Sequence, residues 1–107
     1  MMNARYMTPC VTAMHEDGSL DLKGHAAVYE HLIAGGVDGV LVLGSMGEFF
    51  SMRPEKRREL AQFSIRHIAG RVKVLIGTAS MDFEETVSLS NDALKAGADA
   101  VAVISPY

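Results

Sequence analysis

Apolar positions along the chain switch repeatedly between a helical period and short continuous runs. Residues 7–14 form a first apolar run, with Thr8-Pro9 near its start, and predict strand one. Asp17-Gly18 is a turn signal. Asp21 sits where a helix N-cap would, and Ala26, Ala27, Val28, Leu32 and Ile33 make a broad apolar stripe over 22–34. Gly35-Gly36 stops that helix. Residues 38–43 are almost entirely apolar, which predicts a strand buried on both faces, as in a parallel sheet covered by helices.

The cycle then repeats. Pro54 opens a helix over 54–69, with Leu60, Ala61, Ser64, Ile65 and Ile68 on its inner face and Gly70 past its end. Val72 to Ile76 is a third strand, ending in Gly77-Thr78. Asp82 with Glu85 resembles a capping box and opens a helix over 83–96, in which Val87, Leu89, Ala93 and Leu94 are available for burial. Gly97 ends it, and Ala100 to Ile104 is a fourth strand. Residues 36–43 and 97–104 echo one another: each has a helix-stopping glycine, an aspartate and then a buried strand. Their separation is close to two strand–helix units of roughly 30 residues each. Alternating strands and helices predict a parallel sheet in the order 1-2-3-4. The fold class is α/β, and residues 1–107 read as a single partial domain. A (βα)₈ barrel takes ~250 residues, so a barrel reading makes this less than half of one.

The chain has 107 residues, 49% of them hydrophobic, and a net charge of −3. No clustered positive charge points to a nucleic acid or a membrane surface. Lys56, Arg57 and Arg58, flanked by Glu55 and Glu59, read as a solvated helix face. The single cysteine, Cys10, lies in an apolar run and reads as a buried structural thiol in a reducing, cytoplasmic setting. No stretch is long and apolar enough for a membrane span, and residues 1–7 lack the pattern of a signal peptide. His15, His25, His31 and His67 share no metal-ligand spacing, so no metal is expected.

The most informative stretch is Gly44-Ser45-Met46-Gly47-Glu48, directly after the second buried strand. A small, glycine-flanked turn at the carboxyl end of such a strand brings bare backbone N–H groups close to an anion. In a (βα) barrel, that edge carries the chemistry.

That turn, at the end of Gly35–Glu48, resembles the dihydrodipicolinate synthase and N-acetylneuraminate lyase family. Those proteins carry glycine, two hydroxyl residues, glycine and glutamate after strand two. Thr12, Asp17-Gly18, Gly70-Arg71-Val72, Gly77-Thr78, Gly97-Ala98-Asp99 and Ser105-Pro106-Tyr107 fall in the family's order. The resemblance implies a TIM-barrel (βα)₈ enzyme of which this chain supplies the first (βα)₃β portion. It implies a class I aldolase, lyase or synthase acting on a 2-oxo acid such as pyruvate, with no cofactor and as a homo-oligomer, dimer or tetramer. The imine lysine belongs to strand six and a proton-passing tyrosine to strand five. None of Lys23, Lys56, Lys73 and Lys95 matches that lysine.

By the same resemblance, Ser45 and Tyr107 are the candidate catalytic residues, and Gly44, Ser45, Met46, Gly47 and Thr12 the candidate substrate-binding ones. Glu48 is a structural carboxylate that ties the loop. Thr12 and Thr78 either line the substrate mouth or cap the sheet. Tyr107 matches the first of a tyrosine pair at a subunit contact. Two departures stand out: Met46 replaces the second hydroxyl residue, and Ala13 replaces a common proline. The loss of the second hydroxyl favours the family's other aldolases and dehydratases over the synthase itself. One alternative is a non-catalytic half-barrel fragment that folds and self-associates. Another is a free-standing four-stranded anion-binding module.

Overall fold

The computed structural model describes residues 6–44 and 47–104. Strands β1 (Met7–Pro9), β2 (Gly39–Val42), β3 (Lys73–Gly77) and β4 (Ala100–Ala102) alternate with helices α1 (Leu22–Ala34), α2 (Pro54–Ile68) and α3 (Phe83–Ala96). The four strands form one parallel sheet in the order β1-β2-β3-β4.

Local chemistry fixes the helix ends. Asp21 accepts from the Gly24 N–H at 2.9 Å and so caps α1. Asp82 does the same for α3 through the Glu84 N–H. Of the Gly35-Gly36 pair, only Gly36 takes the left-handed conformation (φ 91°). Helix α2 stops one residue early, with Ala69 itself left-handed before Gly70.

The sheet separates two faces. Val40, Val42, Val74 and Ile76 are buried under the helices with Tyr29, Leu60, Ala61, Ile68 and Ala93. The opposite face is a hollow of about 260 Å³ lined by Pro9, Leu41, Leu43, Gly44, Phe49, Gly77, Ala79, Ala102 and Ile104. This alternation follows from the two-residue period of a strand. Helix α1 contributes Tyr29, whose hydroxyl bonds Ser64 of α2, and Ser64 in turn donates to the Leu60 carbonyl at 2.7 Å. Helices α2 and α3 are joined by Arg58, which reaches Asp92 at 2.7 Å and Ser88 at 3.0 Å.

The echo between 36–43 and 97–104 has a structural cause. Asp38 accepts from the Tyr6 N–H at 2.8 Å while its own N–H bonds the Tyr6 carbonyl. Asp99 does the same to Val74. Each aspartate therefore extends the ladder to the preceding strand by a side-chain bond where the backbone pairing begins.

Four expectations are corrected. Strand one does not run to Met14: after Cys10 the chain leaves the sheet, and Met14 bridges Leu20 antiparallel around the Asp17-Gly18 turn. Strand four ends at Ala102 rather than Ile104, and Val103 and Ile104 are exposed. On α1 the fully buried positions are His25 and Tyr29, not the alanine-rich stripe, and Ala27 is exposed. On α3, Val87 and Leu94 are exposed, while Leu89 and Ala93 are buried against α2 and the sheet.

Candidate active site

The carboxyl ends of the strands meet at the mouth of the hollow. Strand β2 ends at Val42, and the next residue, Leu43, is buried in the left-handed region at φ 65°. That conformation is disfavoured by about 1–2 kcal/mol for a residue with a Cβ. Here it turns the chain off the sheet and into Gly44. The Leu43 carbonyl comes to rest over Gly77 of β3, so closely that a Cβ on Gly77 would lie 2.0 Å from the oxygen.

The far end of the turn is equally tight. Gly47 is buried, and a Cβ there would lie 3.1 Å from the Cys10 carbonyl and 3.2 Å from the Thr12 hydroxyl. The Thr12 hydroxyl donates to the Gly47 carbonyl, and the Gly47 N–H bonds the Gly44 carbonyl at 3.0 Å. Thr12 thus joins the loop after β1 to the turn after β2. Glu48 is exposed and left-handed; its carbonyl accepts from the N–H and hydroxyl of Ser51. Phe49 then turns back into the core.

Gly44 lines the hollow, and Gly47, bonded to the Gly44 carbonyl, lies against Thr12. Ser45, Met46 and Tyr107 lie outside the described residues. Thr78 is buried and faces α3, its hydroxyl 2.7 Å from that of Ser90, so it does not line the mouth.

Two residues that hold the mouth were not singled out from the sequence. Arg57, read as part of a solvated face, is only 4% exposed. It donates to the Ala79 carbonyl at 2.9 Å and to the Gly77 carbonyl at 3.0 Å, and lies 5.3 Å from the centre of the Phe49 ring. Its Nε finds no acceptor among the described residues. Burial pushes the guanidinium pKa down, with Glu85 opposing. His25 is 1% exposed, and its Nε2 accepts from the Ala13 N–H at 3.0 Å. A proline at 13 has no N–H to give, so the departure at Ala13 makes this bond available. The bond secures the loop that carries Thr12.

Burial depresses the His25 pKa below 6.5, against the pull of Asp21. Above 6.5 both folded and unfolded states hold it neutral. As pH falls through that value, the unfolded chain takes up a proton that the folded one resists, so stability is lost in acid. The urea midpoint is expected to fall between pH 7.5 and 5.5, and more steeply than in His25→Gln. Equal slopes in the two proteins would remove His25 as the cause.

The lysines stand apart from the hollow. Lys23 and Lys95 are exposed on helices, Lys56 reaches the Gly18 carbonyl at 3.0 Å, and Lys73 lies at the amino-terminal end of β3, 3.9 Å from Asp99. Cys10 is buried and its thiol is pushed up to about 11 by burial, which leaves it unreactive.

A parallel βα sheet whose second strand runs into a glycine-flanked turn is the architecture of a partial (βα) barrel. The Dihydrodipicolinate synthetase family matches residues 2–107, and the chain belongs to that family. It is 48% identical over 99 residues to the putative 2-dehydro-3-deoxy-D-gluconate aldolase YagE of Escherichia coli K12, covering 92% of this chain and 33% of YagE. It is 38% identical over 101 residues to the 4-hydroxy-tetrahydrodipicolinate synthase of Polynucleobacter asymbioticus, covering 94% of this chain and 33% of that enzyme. The crystal structure of YagE in complex with pyruvate superposes with a TM-score of 0.97 at 44% identity, over all of this chain and 36% of that one. Dihydrodipicolinate synthase from Aquifex aeolicus superposes at 0.94 with 30% identity, over 98% of this chain and 36% of that one. The chain spans about a third of the length of the curated relatives it matches. It corresponds to about a third of the TIM barrel of those relatives.

Proposed function

We propose that the full-length protein is a Schiff-base 2-oxo acid aldolase or lyase, and that residues 44–47 hold the carboxylate of pyruvate or a similar acid. The observation that carries this reading is the turn at the carboxyl end of β2. Leu43 is left-handed, Gly77 leaves room beneath it, and Thr12 ties down Gly47, so both ends of the turn are anchored at the carboxyl edge of the sheet. Backbone N–H groups there bind an anion without adding a competing nucleophile. An imine between a lysine and the 2-oxo acid supplies the electron sink for making or breaking the carbon–carbon bond.

Ser45 supplies a hydroxyl for proton transfer and Met46 only its backbone N–H. Tyr107 serves the site wall or a subunit contact. The pyruvate complex of YagE supports the substrate class. The lone thiol fits a cytoplasmic protein, and the expected assembly is a homo-oligomer, dimer or tetramer.

The test is reductive trapping. Full-length protein incubated with pyruvate and borohydride should gain one pyruvate adduct by intact mass, on a lysine outside residues 1–107. Residues 1–107 alone should gain none, because none of their four lysines lines the hollow. An adduct on Lys23, Lys56, Lys73 or Lys95 would overturn the placement of the chemistry. A full-length protein that gains no adduct would overturn the activity.

A further inference from the structure

Arg57 touches residues that support both described ends of the 44–48 turn. The entrance rests on Gly77, because the Leu43 carbonyl sits directly on that residue's Cα. Arg57 Nη2 holds the Gly77 carbonyl and Nη1 holds that of Ala79. The exit of the turn runs into Phe49, whose ring lies 5.3 Å from the guanidinium carbon. The planar fork of arginine grips two carbonyls in fixed relation and still presents a face to an aromatic ring. Lysine, with a single compact charge, cannot do all three.

The guanidinium is buried, and its Nε has no partner among the described residues. The two residues whose carbonyls it holds and the ring it faces all line the hollow. Pro54 starts α2 just before it, so Arg57 projects from the first turns of the helix, on the buried stripe it shares with Leu60, Ala61, Ser64 and Ile68.

We propose that Arg57 is a positioning residue for the 44–48 turn, holding its entrance through Gly77 and its exit through Phe49. The functional consequence rests on the reading of that turn as the 2-oxo acid carboxylate site. Arg57 touches no substrate. It sets where the N–H donors stand, so its loss misplaces them. A purely structural role would reduce the amount of folded enzyme, lowering apparent turnover and leaving the KM for pyruvate unchanged. Misplaced donors raise the KM.

The experiment compares full-length wild type, Arg57→Lys and Phe49→Leu by hydrogen exchange and steady-state kinetics. Arg57→Lys keeps the charge and loses the fork. It should speed amide exchange about tenfold in both 43–49 and 76–80, the scale of one lost charge-assisted hydrogen bond, and should raise the pyruvate KM by a similar factor. Phe49→Leu should speed exchange in 43–49 and leave 76–80 unchanged. The proposal is overturned if Arg57→Lys loosens 76–80 alone, or if an active Arg57→Lys enzyme keeps the wild-type KM. If Arg57→Lys does not fold, unchanged exchange at 43–49 in Phe49→Leu overturns it. A wild type that forms no imine with pyruvate refutes the activity, while the exchange data still decide the positioning.

Discussion

Gly77→Ala should destabilise the protein by about 3 kcal/mol or more, at the top of the range for overpacked sites. The added methyl would lie 2.0 Å from the Leu43 carbonyl oxygen, 2.7 Å from its carbon and 3.3 Å from the Gly44 nitrogen. All three atoms are backbone, so no side-chain rotation relieves the clash. Either β2 and β3 part at their carboxyl ends or Leu43 leaves its left-handed turn, and both displace Gly44. With a denaturant slope of ~1–3 kcal/mol per molar urea, the midpoint should drop by about 1–3 M. Gly18→Ala is the control: Gly18 sits at φ 88° in open space, so a methyl there costs only about 1–2 kcal/mol of backbone preference. Comparable losses in the two variants would mean that the close approach of β2 to β3 is not what the glycine permits.

The same position shows how far a sequence can be read. Gly77 follows a β-rich run and marks the end of strand three, which is visible without a structure. Its reason is not visible, because it depends on a residue 34 positions earlier adopting a conformation that leucine rarely takes. The strand–helix alternation, the capping aspartates and the order of the sheet were legible because each is a local pattern with one dominant cause: burial on both strand faces, an N-cap oxygen, a glycine past a helix end. The two glycines that close the turn after β2, Gly44 and Gly47, were legible as small residues at a strand's carboxyl end.

What failed to read were positions where a polar type is buried by tertiary partners. Arg57 stands in a run of charges that looks like a solvated face, yet two carbonyls and an aromatic ring hold it inside. His25 adjoins the predicted apolar stripe without being part of it, and only the fold supplies the Ala13 N–H that makes it an acceptor. Arg58 and Asp92 are unremarkable apart until α2 and α3 pack side by side. Strand one was overread for a related reason. The run 10–14 is apolar enough for a strand, but its groups are committed elsewhere: the Thr12 hydroxyl to Gly47, the Ala13 N–H and carbonyl to His25 and Asp21, and Met14 to Leu20.

Replacing Ser45 by alanine in the full-length protein should lower turnover by ~10²-fold or more, the usual cost of removing an acid–base group or a preorganised donor. Pyruvate affinity should change less. The asymmetry follows from which atoms do what. On the proposed reading carboxylate binding needs N–H donors, which the backbone of the turn would supply whatever the side chain at 45. Proton transfer needs a hydroxyl, and within Gly44-Ser45-Met46-Gly47-Glu48 only Ser45 carries one. Met46→Leu should therefore be nearly silent in both constants, since neither side chain donates. Met46→Thr restores a second hydroxyl and should raise synthase-type activity if that chemistry needs a two-hydroxyl relay. The geometry around the turn makes the test clean. Thr12 and Gly47 fix its far end and Leu43 with Gly77 its near end, so a side-chain change at 45 or 46 leaves the anchors in place. Full turnover in Ser45→Ala together with its loss in Met46→Leu would reverse the assignment, placing the critical contact on the thioether side of the turn.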